Sequence, residues 1–532
     1  MKEITATDGT RIRFDDRNPM SGGQKDVFPV SEPAGHVIAF VQTAYRDLYG
    51  SIPNRSRIHK IVTTLRPLLD TADNGYWRLV FCCPDKLVDD RRTEDDAKPF
   101  AFTMPKYRDE FIISPNEQKR LGIDGQGERT IELYGDVKNL FHKLPDNERG
   151  AFPNYLKIAL KLAQAVRRLH SLGFIHTDLS LKNVLVNPLK GTACIIDIDG
   201  MSVEGMYDPM VDGTLDGTCA PEIRPSSQFP DETEKVRPSE LTDRHSLAVL
   251  IYLLLLHRHP FLGGRYFEDD NVDDTTAKLW LDPIYIESED ARRLGNRNMK
   301  REVLDGIWPQ DNSSNDDLLR ACFPWYDLEG FSASKVCGPF LNQLFEKAFV
   351  NGVKNPRERP RARDWEEALI RTSNLLARCD NPACSHKLFV CTDESAPVCP
   401  FCGTKVGEPF PILGCSEYPR RPWSAPPQTI VCYHEKAMWA WDVFHDVFPD
   451  ETSYANPAFR LRAGSIRQEG SRWLWRNERT NMSVVDDSGN ESKVVPGTET
   501  ELKPGLRMRF RSSLRNDCAR EMVVRFSHGR TA

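Results

Sequence analysis

The chain has 532 residues, 39% of them hydrophobic and 28% charged, with a formal net charge of −6. This length predicts more than one domain, and the nearly balanced charge excludes a strongly basic or acidic binding protein. The first residues lack the apolar core of a signal peptide, and the longest apolar run, Leu247 to Leu256, is far shorter than the roughly 20 residues that span a bilayer. We therefore expect a cytoplasmic protein without a membrane segment.

The N-terminal region predicts a strand pair, a helix and a further strand. Two strand-like stretches flank the turn at residues 20–28, where Gly22 and Gly23 would let the backbone approach a phosphate closely. Another strand is predicted over His36 to Gln42. Apolar residues at helical spacing predict a helix over residues 54–70, with Pro67 ending or kinking its last turn. A strand is predicted over Phe100 to Pro105.

A compact group of polar residues follows an apolar helix that we predict to stop at Gly173. Asp178 and Asn183 lie five residues apart before a strand, and a turn and a second apolar run lead to Asp197. Phosphoryl transfer from ATP uses one carboxylate to orient the attacking hydroxyl. An amide and a second carboxylate hold the metal ions on the phosphates. This spacing is typical of that chemistry.

Further motifs follow in a consistent order. They are Thr218-Cys219-Ala220-Pro221-Glu222, Thr242-Asp243-Arg244-His245-Ser246-Leu247, His259-Pro260-Phe261 and Arg359-Pro360. The apolar run between the second and third of these predicts a buried central helix. Each motif alone is weak evidence, but together they are not explained by structural roles alone.

In this order the motifs resemble the catalytic domain of protein kinases. The resemblance implies that Asp178 orients the substrate hydroxyl and Lys182 neutralises the transferring phosphoryl group. It implies that Asn183 and Asp197 bind magnesium or manganese, and that Asp243 caps the catalytic loop. Thr214 is the first candidate for the threonine that contacts Asp178, with Thr218 left open. Glu222 and Arg359 would form a buried ion pair.

The sequence departs from the kinase pattern at the lysine that normally binds ATP. Phe40 or Val41 stands at its place in the strand. Lys25, in the string Lys25-Asp26-Val27-Phe28, resembles the lysine of the "with-no-lysine" kinases, which comes from the strand below the glycine-rich loop. We expect Lys25, Gly22 and Gly23 to contact the nucleotide. The alternative is that Lys25 is a solvated strand residue.

Three more departures concern the groups around the phosphates. The predicted helix contains no glutamate to pair with the lysine, and Asp47 and Asp70 near its ends are poor substitutes. Thr177 replaces the arginine that grips an activation-loop phosphate, so switching by that phosphate is not expected. Asp199 replaces the usual glycine, and it is either a further metal and nucleotide ligand or a cap.

Four cysteines predict a structural zinc site in a small ribbon over residues 378–410. Cys379 and Cys384 are separated by four residues, and Cys399 and Cys402 by two, which suits tetrahedral zinc. His386 or Cys391 could replace Cys384 or Cys379. The alternative is unligated reduced cysteines, since the other ten of the 14 cysteines are scattered as in a reducing compartment.

The C-terminal region predicts a proline-rich linker over residues 411–428 and a small β-sandwich over 429–532. Turns are expected at Asp486 to Gly489, Pro496-Gly497 and Pro504-Gly505, and four tryptophans are expected in the core: Trp439, Trp441, Trp473 and Trp475. The last strands are loosely similar to forkhead-associated domains. Residues 456–532 carry a net charge of +6, which favours an acidic protein partner over nucleic acid, or is a solvated basic surface.

The predicted fold is α+β: a bilobal protein-kinase-like domain over 1–377 (lobes 1–105 and 106–377), then the zinc ribbon, the linker and the all-β domain. The loop Asp197-Ile198-Asp199-Gly200, called here the metal loop, and the cysteine ribbon resemble those of a group of bacterial Ser/Thr kinases. Some members are encoded in tellurite-resistance and stress clusters beside a phosphatase and a von Willebrand-type protein, which implies such partners. The predicted function is transfer of the ATP γ-phosphoryl group to protein hydroxyls. The alternative is a pseudokinase scaffold.

Overall fold

The computed structural model describes residues 1–17, 19–21, 25–41, 57–88, 101–123, 127–203, 217–223, 231, 234–263, 282–295, 332–422, 424–457, 459–512 and 518–528. The chain divides into two compact units. Unit 1 comprises Met1–Tyr134, Ala165–Asn187 and Thr192–Leu250, and unit 2 comprises Gly135–Gln164, Pro188–Gly191 and Ile251–Ala532. The architecture is mixed α and β, with two all-β sheets near the C-terminus.

The strands of unit 1 form one large sheet and two short pairs. They are β1 (Lys2–Thr5), β2 (Arg11–Phe14), β3 (Met20–Ser21), β4 (Lys25–Glu32), β5 (His36–Val41), β6 (Lys86–Val88), β7 (Ala101–Pro105), β8 (Phe174–Ile175), β9 (Val184–Asn187), β10 (Thr192–Ile195) and β11 (Ser202–Val203). The sheet has the order β1-β2-β4-β5-β7-β6 with β3 on β4, and β9 pairs with β10 and β8 with β11.

The strands of unit 2 form a ribbon hairpin and two larger sheets. They are β12 (Leu376–Arg378), β13 (Leu388–Val390), β14 (Pro411–Tyr418), β15 (Gln428–Val431), β16 (Ala437–Trp439), β17 (Arg462–Glu469), β18 (Arg472–Asn477), β19 (Asn481–Val485), β20 (Glu491–Val494), β21 (Glu499–Glu501), β22 (Arg507–Arg511) and β23 (Ala519–Phe526).

Several α-helices have bounds that lie within the described ranges. They are α1 (Arg66–Thr71), α2 (Pro115–Leu121), α3 (Ile131–Tyr134), α4 (Val137–Lys143), α5 (Asp146–Arg149), α6 (Phe152–Ser171), α7 (Glu240–Leu256), α8 (Glu289–Arg293), α9 (Ala333–Glu346), α10 (Gly352–Lys354), α11 (Ala362–Asn374), α12 (Ala440–Val443) and α13 (Glu451–Ala455). Short 3₁₀ or π segments are Ile61–Leu65, Ala72–Leu79, Asp109–Phe111, Ile198–Gly200, Lys347–Asn351 and Pro356–Glu358.

The large sheet of unit 1 has two apolar faces because successive side chains of a strand point to opposite sides. On one face the rings of Phe14, Phe28 and Phe40 lie 5.5 to 5.8 Å apart. On the other face Ala39 and Phe102 pack with Ile58, which lies in the helical residues 57–60 between β5 and β6. The predicted strands over 36–42 and 100–105 are therefore present within the described residues.

Pro67 does not end the helix that the sequence predicts over residues 54–70. A π-helical segment, Ile61–Leu65, leads directly into α1, which continues through Pro67 to Thr71. Proline lacks an N–H and its ring crowds the carbonyl four residues earlier, and the wider π turn before it re-routes the backbone hydrogen bonds. The predicted kink or end at Pro67 is replaced by this change of helix type.

The two long helices match the prediction. In α6 the last turn reaches Ser171, and Gly173 follows with a φ of 74°. That left-handed conformation suits glycine and ends the helix before β8. In α7 every residue from Leu247 to Leu256 is buried. None of the helices in the described ranges combines the length and the apolar content needed to cross a membrane.

Unit 2 packs the ribbon against helical elements of the same unit. The backbone N–H of Phe152 donates to His386 Nδ1 over 3.1 Å, and the Phe152 and Phe401 rings lie 5.1 Å apart. Gly338 has a φ of 76°, and a Cβ there would lie 2.9 Å from Val390. Glycine therefore lets α9 approach β13 closely.

The C-terminal region is a β-sandwich, as predicted. One sheet has the order β15-β14-β23-β22-β19-β20 and the other β16-β17-β18-β21. Trp475 and Phe510 bring the two sheets into contact, with ring centroids 5.2 Å apart. A Cβ at Gly464 would lie 2.5 Å from the Trp475 ring, so only glycine fits opposite this tryptophan.

Two predictions for this region need correction. Residues 411–418 are not a linker but form β14, which pairs with both β15 and β23. Pro411 is tolerated because it stands first in the strand. Trp473 and Trp475 are buried as predicted, whereas Trp439 and Trp441 are half-buried and stack on each other at 5.7 Å.

Candidate active site and cysteine cluster

A hairpin in unit 1 brings two of the predicted metal ligands together. Strands β9 and β10 pair so that Val184 faces Ile195. The Ile196 N–H then donates to the Asn183 carbonyl over 3.0 Å. Asn183 and Asp197 therefore stand at neighbouring ends of one hairpin, and its rigid strands fix their separation. Asp197 has a φ of 59°, an uncommon conformation for a residue other than glycine and one often found at functional sites.

Asp243, near the start of α7, caps the loop that carries Asp178. Its carboxylate accepts the backbone N–H of His176 at 2.8 Å and that of Thr177 at 3.2 Å, as the sequence predicted. His170 Nε2 lies 3.0 Å from the same carboxylate. Sequence reasoning missed His170, although its place near the end of the predicted helix before this loop was the available signal.

Lys25, the first residue of β4, reaches the metal loop. Its Nζ lies 2.6 Å from Asp197 Oδ1 and 2.6 and 2.8 Å from the two Asp199 oxygens. In the strand register Lys25 stands directly opposite Val41. Directly opposed residues of neighbouring strands project to the same face of a sheet, so Lys25 supplies an ammonium group on the face of β5 that carries Val41.

Among the residues that the structure describes, the charges in this cluster do not balance. The Asp199 side chain is only 2% exposed, whereas Asp197 is 43% exposed. Burial alone would lower the pKa of Lys25, but the Asp199 and Asp197 carboxylates outweigh it and raise that pKa. The Lys25 charge lowers the pKa of Asp197, while burial raises the pKa of Asp199. One ammonium thus faces two carboxylates in a site of low solvent exposure.

Asp178 and Asn183 are joined within the catalytic loop. The Asn183 amide nitrogen donates to the Asp178 carbonyl and to Asp178 Oδ2, both over 2.9 Å. This arrangement orients the Asp178 carboxylate, and the Asn183 amide oxygen is the atom of that side chain that could bind a metal. Lys182 is exposed, 4.0 Å from Glu132. The Thr218 hydroxyl donates to the Leu179 carbonyl over 3.3 Å, next to Asp178 in the chain.

Apolar side chains, among them Ile196 beside Asp197, form a buried core cluster in this part of unit 1. Met104, Tyr107 and Ile196 pack on a buried group of Cys82, Phe111, Leu185 and Cys194. The Cys82 thiol donates to the Pro105 carbonyl over 2.9 Å at the end of β7. No sequence motif marks Cys82, because its position beside the Pro105 carbonyl depends on contacts between segments that are distant in the chain.

The remaining predictions near the site have mixed outcomes. Gly22, Gly23, Thr214 and Asp47 lie outside the described residues. Asp70 binds Arg66 over 2.8 Å and Arg78 over 3.0 Å, in keeping with the prediction that it is a poor partner for the lysine. The ion pair of Glu222 with Arg359 stays a prediction.

The residues present fit a magnesium or manganese ion with a nucleotide. Carboxylate and amide oxygens are the ligands that these hard cations prefer, and Asp197, Asp199 and Asn183 supply them. The excess negative charge around Lys25 favours a cation, and the exposed side of Asp197 gives it access. The predicted nucleotide-binding role of these residues rests on this chemistry.

The four cysteines of the ribbon converge in unit 2. Their sulfur atoms all lie within 4.8 Å of one another, with Cys379 and Cys402 3.4 Å apart and Cys384 and Cys399 4.0 Å apart. Gly403 has a φ of 72° and its N–H donates to the Cys399 carbonyl, which makes the tight turn between the last pair. Such a closed set of four sulfurs could bind zinc.

Neither alternative zinc ligand belongs to this set. The Nδ1 atom of His386 accepts the Phe152 N–H, and the Cys391 thiol donates to the Asp393 carbonyl over 3.5 Å. The ribbon strands β12 and β13 pair through Ala377 and Phe389, so the first cysteine pair lies on the loop of a hairpin. The four cysteines predicted from their spacing are therefore the ones whose sulfur atoms lie together.

Comparison with known proteins indicates a kinase-like relationship for part of the chain. No protein-family model matches it. The protein named "Serine/threonine-protein kinase/endoribonuclease IRE1" from Oryza sativa subsp. japonica is 32% identical over 119 residues. The match covers 22% of this chain and 12% of the relative. It supports a relationship to kinases at this coarse level.

Proposed function

We propose that the chain is an ATP-dependent Ser/Thr-type protein kinase that transfers the γ-phosphoryl group to protein hydroxyls. The observation that carries the proposal is the contact of Lys25 Nζ with Asp197 and Asp199 at 2.6 to 2.8 Å. A lysine that binds phosphates is expected to reach the carboxylates that hold the metal, and Lys25 does so from the strand next to the one that usually carries this lysine. The partial similarity to a serine/threonine kinase supports the same conclusion.

Each polar side chain has a role in this proposal. Bound ATP with magnesium supplies the transferable phosphoryl group and the charge-neutralising metal. Asp178 orients the acceptor hydroxyl and accepts its proton, while Lys182 offsets the charge of the transferring group. Asn183 and Asp197 hold the metal, and Lys25 binds the phosphates. Met104, which is partly buried on the apolar group around Leu185, would face the adenine.

Asp199 acts here as a positioning residue for Lys25. Kinases usually hold their lysine with a helix glutamate, and the predicted helix over residues 54–70 has none. Asp199, buried and in contact with Lys25 through both oxygens, would replace that glutamate from the metal loop. The two departures from the kinase pattern, Lys25 and Asp199, then compensate each other.

The second candidate is a pseudokinase scaffold that binds nucleotide without transferring phosphate. The lack of a lysine at the usual strand position, where Phe40 or Val41 stands, favours it. The arrangement of Asp178, Asn183 and Asp197 favours catalysis instead, since a scaffold needs none of them. The zinc ribbon would be structural in either case. A cytoplasmic role in bacterial stress signalling, with a phosphatase and a von Willebrand-type partner, belongs to the first candidate.

The test is transfer from labelled ATP with magnesium or manganese, using the protein itself and a generic basic protein as acceptors. Removing a general base lowers rates by about 10²–10⁴-fold, so Asp178→Asn should abolish detectable transfer. Asp146→Asn, at an exposed aspartate of α5, is the matched control and should leave transfer unchanged. Nucleotide binding by thermal shift without transfer in the unaltered protein would overturn the kinase proposal in favour of the scaffold.

A further inference from the structure

A second group of side chains that could bind a metal, distinct from the four ribbon cysteines, lies in the C-terminal sandwich. Glu417, His445 and Cys518 each offer one ligand atom, and these three atoms lie within 4.8 Å of one another. His445 Nε2 is 3.0 Å from Cys518 Sγ. We propose that these three residues form a zinc site with its fourth position open to water.

The strand register places two of the ligands on one face. In the pairing of β14 with β23, Glu417 stands opposite Arg520. Cys518 lies two residues before Arg520, and residues two apart in an extended chain point to the same side. Glu417 and Cys518 thus project together at the end of these strands.

Arg520 also holds the segment that carries the third ligand. Its Nη1 donates to the carbonyls of Asp442 and Trp441 over 2.9 and 3.3 Å. These two residues belong to α12, and His445 follows two residues after that helix ends. Arg520 is buried, so this anchor holds the backbone that leads to His445 close to the strands that carry Glu417 and Arg520.

The surroundings of His445 are those of a metal ligand. Its Nδ1 and Asp446 Oδ1 are buried without a hydrogen-bond partner within the described ranges, and they lie 4.0 Å apart. Buried polar atoms without partners are costly. When Nε2 binds a metal, Nδ1 carries the proton, and a nearby carboxylate commonly accepts it. A small rotation of Asp446 would complete that bond.

The ligand types select the metal. A thiolate and an imidazole disfavour magnesium and calcium, and with a carboxylate they suit zinc in a four-coordinate site. Tetrahedral zinc places its sulfur and nitrogen ligands about 3.5 Å apart, so binding would widen the Cys518–His445 separation slightly. A thiol–imidazole hydrogen bond alone would account for neither Glu417 nor the unpartnered Asp446 oxygen.

Metal analysis of the full-length purified chain tests the site without reference to catalysis. After dialysis, we expect about two zinc ions per chain, one from each cluster. Cys518→Ser and His445→Asn should each remove one ion and keep the other, and Cys399→Ser should remove the other. Cys432→Ser, at a buried cysteine of the same domain, is the control and should keep both.

Two further readouts keep the result decisive. Glu417→Gln changes a half-buried side chain, so it should fold, and it should weaken zinc binding at this site at least about tenfold. Cobalt in place of zinc should give a thiolate charge-transfer band that depends on Cys518 in a Cys399→Ser background. Zinc content unaffected by both Cys518→Ser and Glu417→Gln would overturn the proposal and leave a hydrogen-bonded pair.

Discussion

Two clusters of charged side chains in this protein are built alike but balanced differently. Around Lys25 one ammonium meets the carboxylates of Asp197 and Asp199. In the C-terminal sandwich, Glu491 lies between Arg509 and Arg511, with N–O distances of 2.6 to 2.7 Å. Glu521 joins the same cluster through Arg509 and Arg507. Both clusters connect segments that are separate in the chain.

The difference in charge balance distinguishes the proposed binding site around Lys25 from the structural ion-pair cluster around Glu491. In the sandwich cluster, three guanidinium groups face two carboxylates and link β20, β22 and β23, so each carboxylate is paired with two arginines. Around Lys25 the carboxylates outnumber the cation, and one of them is 43% exposed. Unbalanced charge of this kind is costly for folding, and its presence in the same site as Asp178 and Asn183 supports the proposed binding of a cation and a nucleotide.

The largest expected effect comes from Lys25→Met. Removing a charge that stabilises the transferring phosphoryl group should lower transfer from ATP by about 10²–10³-fold, which labelled-ATP assays would measure. Lys60→Met, on the helix before α1, is the matched control and should be silent. Loss of transfer in Lys60→Met but not in Lys25→Met would contradict the assignment of Lys25.

Stability measurements separate the catalytic effect from a folding defect. Lys25→Met leaves two carboxylates without their cation, which should lower the thermal unfolding temperature. Adding Asp199→Asn removes one of those charges and should restore the temperature while transfer stays absent. A double variant that regains both would show that the Lys25 cluster is a structural tie like the one around Glu491.

A smaller effect is expected from Asp199→Asn alone. Asparagine keeps the size of the side chain, and Asp197 still holds Lys25 at 2.6 Å, so the lysine loses one of two anchors. We expect transfer to fall about tenfold, equivalent to about 1.4 kcal/mol of barrier. The measurement is kcat and the KM for ATP at saturating magnesium. No change in either would remove Asp199 from the positioning role.

The cysteine cluster could be predicted from the sequence in full, whereas the Lys25 cluster could be predicted only in part. Cys399 and Cys402 are separated by two residues with Gly403 after them, so a single turn brings their sulfurs together, and spacing sufficed. Lys25 and Asp197 are 172 residues apart. The lysine could be proposed from its resemblance, but its contact with Asp199 depends on the register of β4 and β5, which no local pattern encodes.

The errors have similar local causes. Proline content predicted a linker at residues 411–428, yet Pro411 opens β14 and Pro419 follows its last residue, so neither interrupts the ladder. Pro67 predicted a helix end because the π turn before it has no signature in the sequence. Glu417, His445 and Cys518 escaped notice because three separate elements converge there.

The smallest effect is expected from Glu491→Gln, which tests whether the Glu491 cluster has a purely structural role. Hydrogen bonds from Arg511 lower the pKa of Glu491 most, with Ser483 and Arg509 adding to them. Losing this partly exposed charge should cost about 1 kcal/mol at neutral pH. Amide hydrogen exchange of β19, β20 and β22 would then be about fivefold faster at pH 7. Asp487→Asn, in the exposed turn between β19 and β20, is the control.

The pH dependence gives this variant its sharpest readout. Because the pKa of Glu491 is lower in the folded chain than its unfolded value of about 4.3, its contribution is present above that value. As the pH falls below about 4.3 the contribution is lost, so wild type and Glu491→Gln should converge. Since transfer from ATP does not involve this cluster, activity at neutral pH should be unchanged. A gap that persists in acid would mean that packing of the Glu491 side chain, not its charge, ties these strands together.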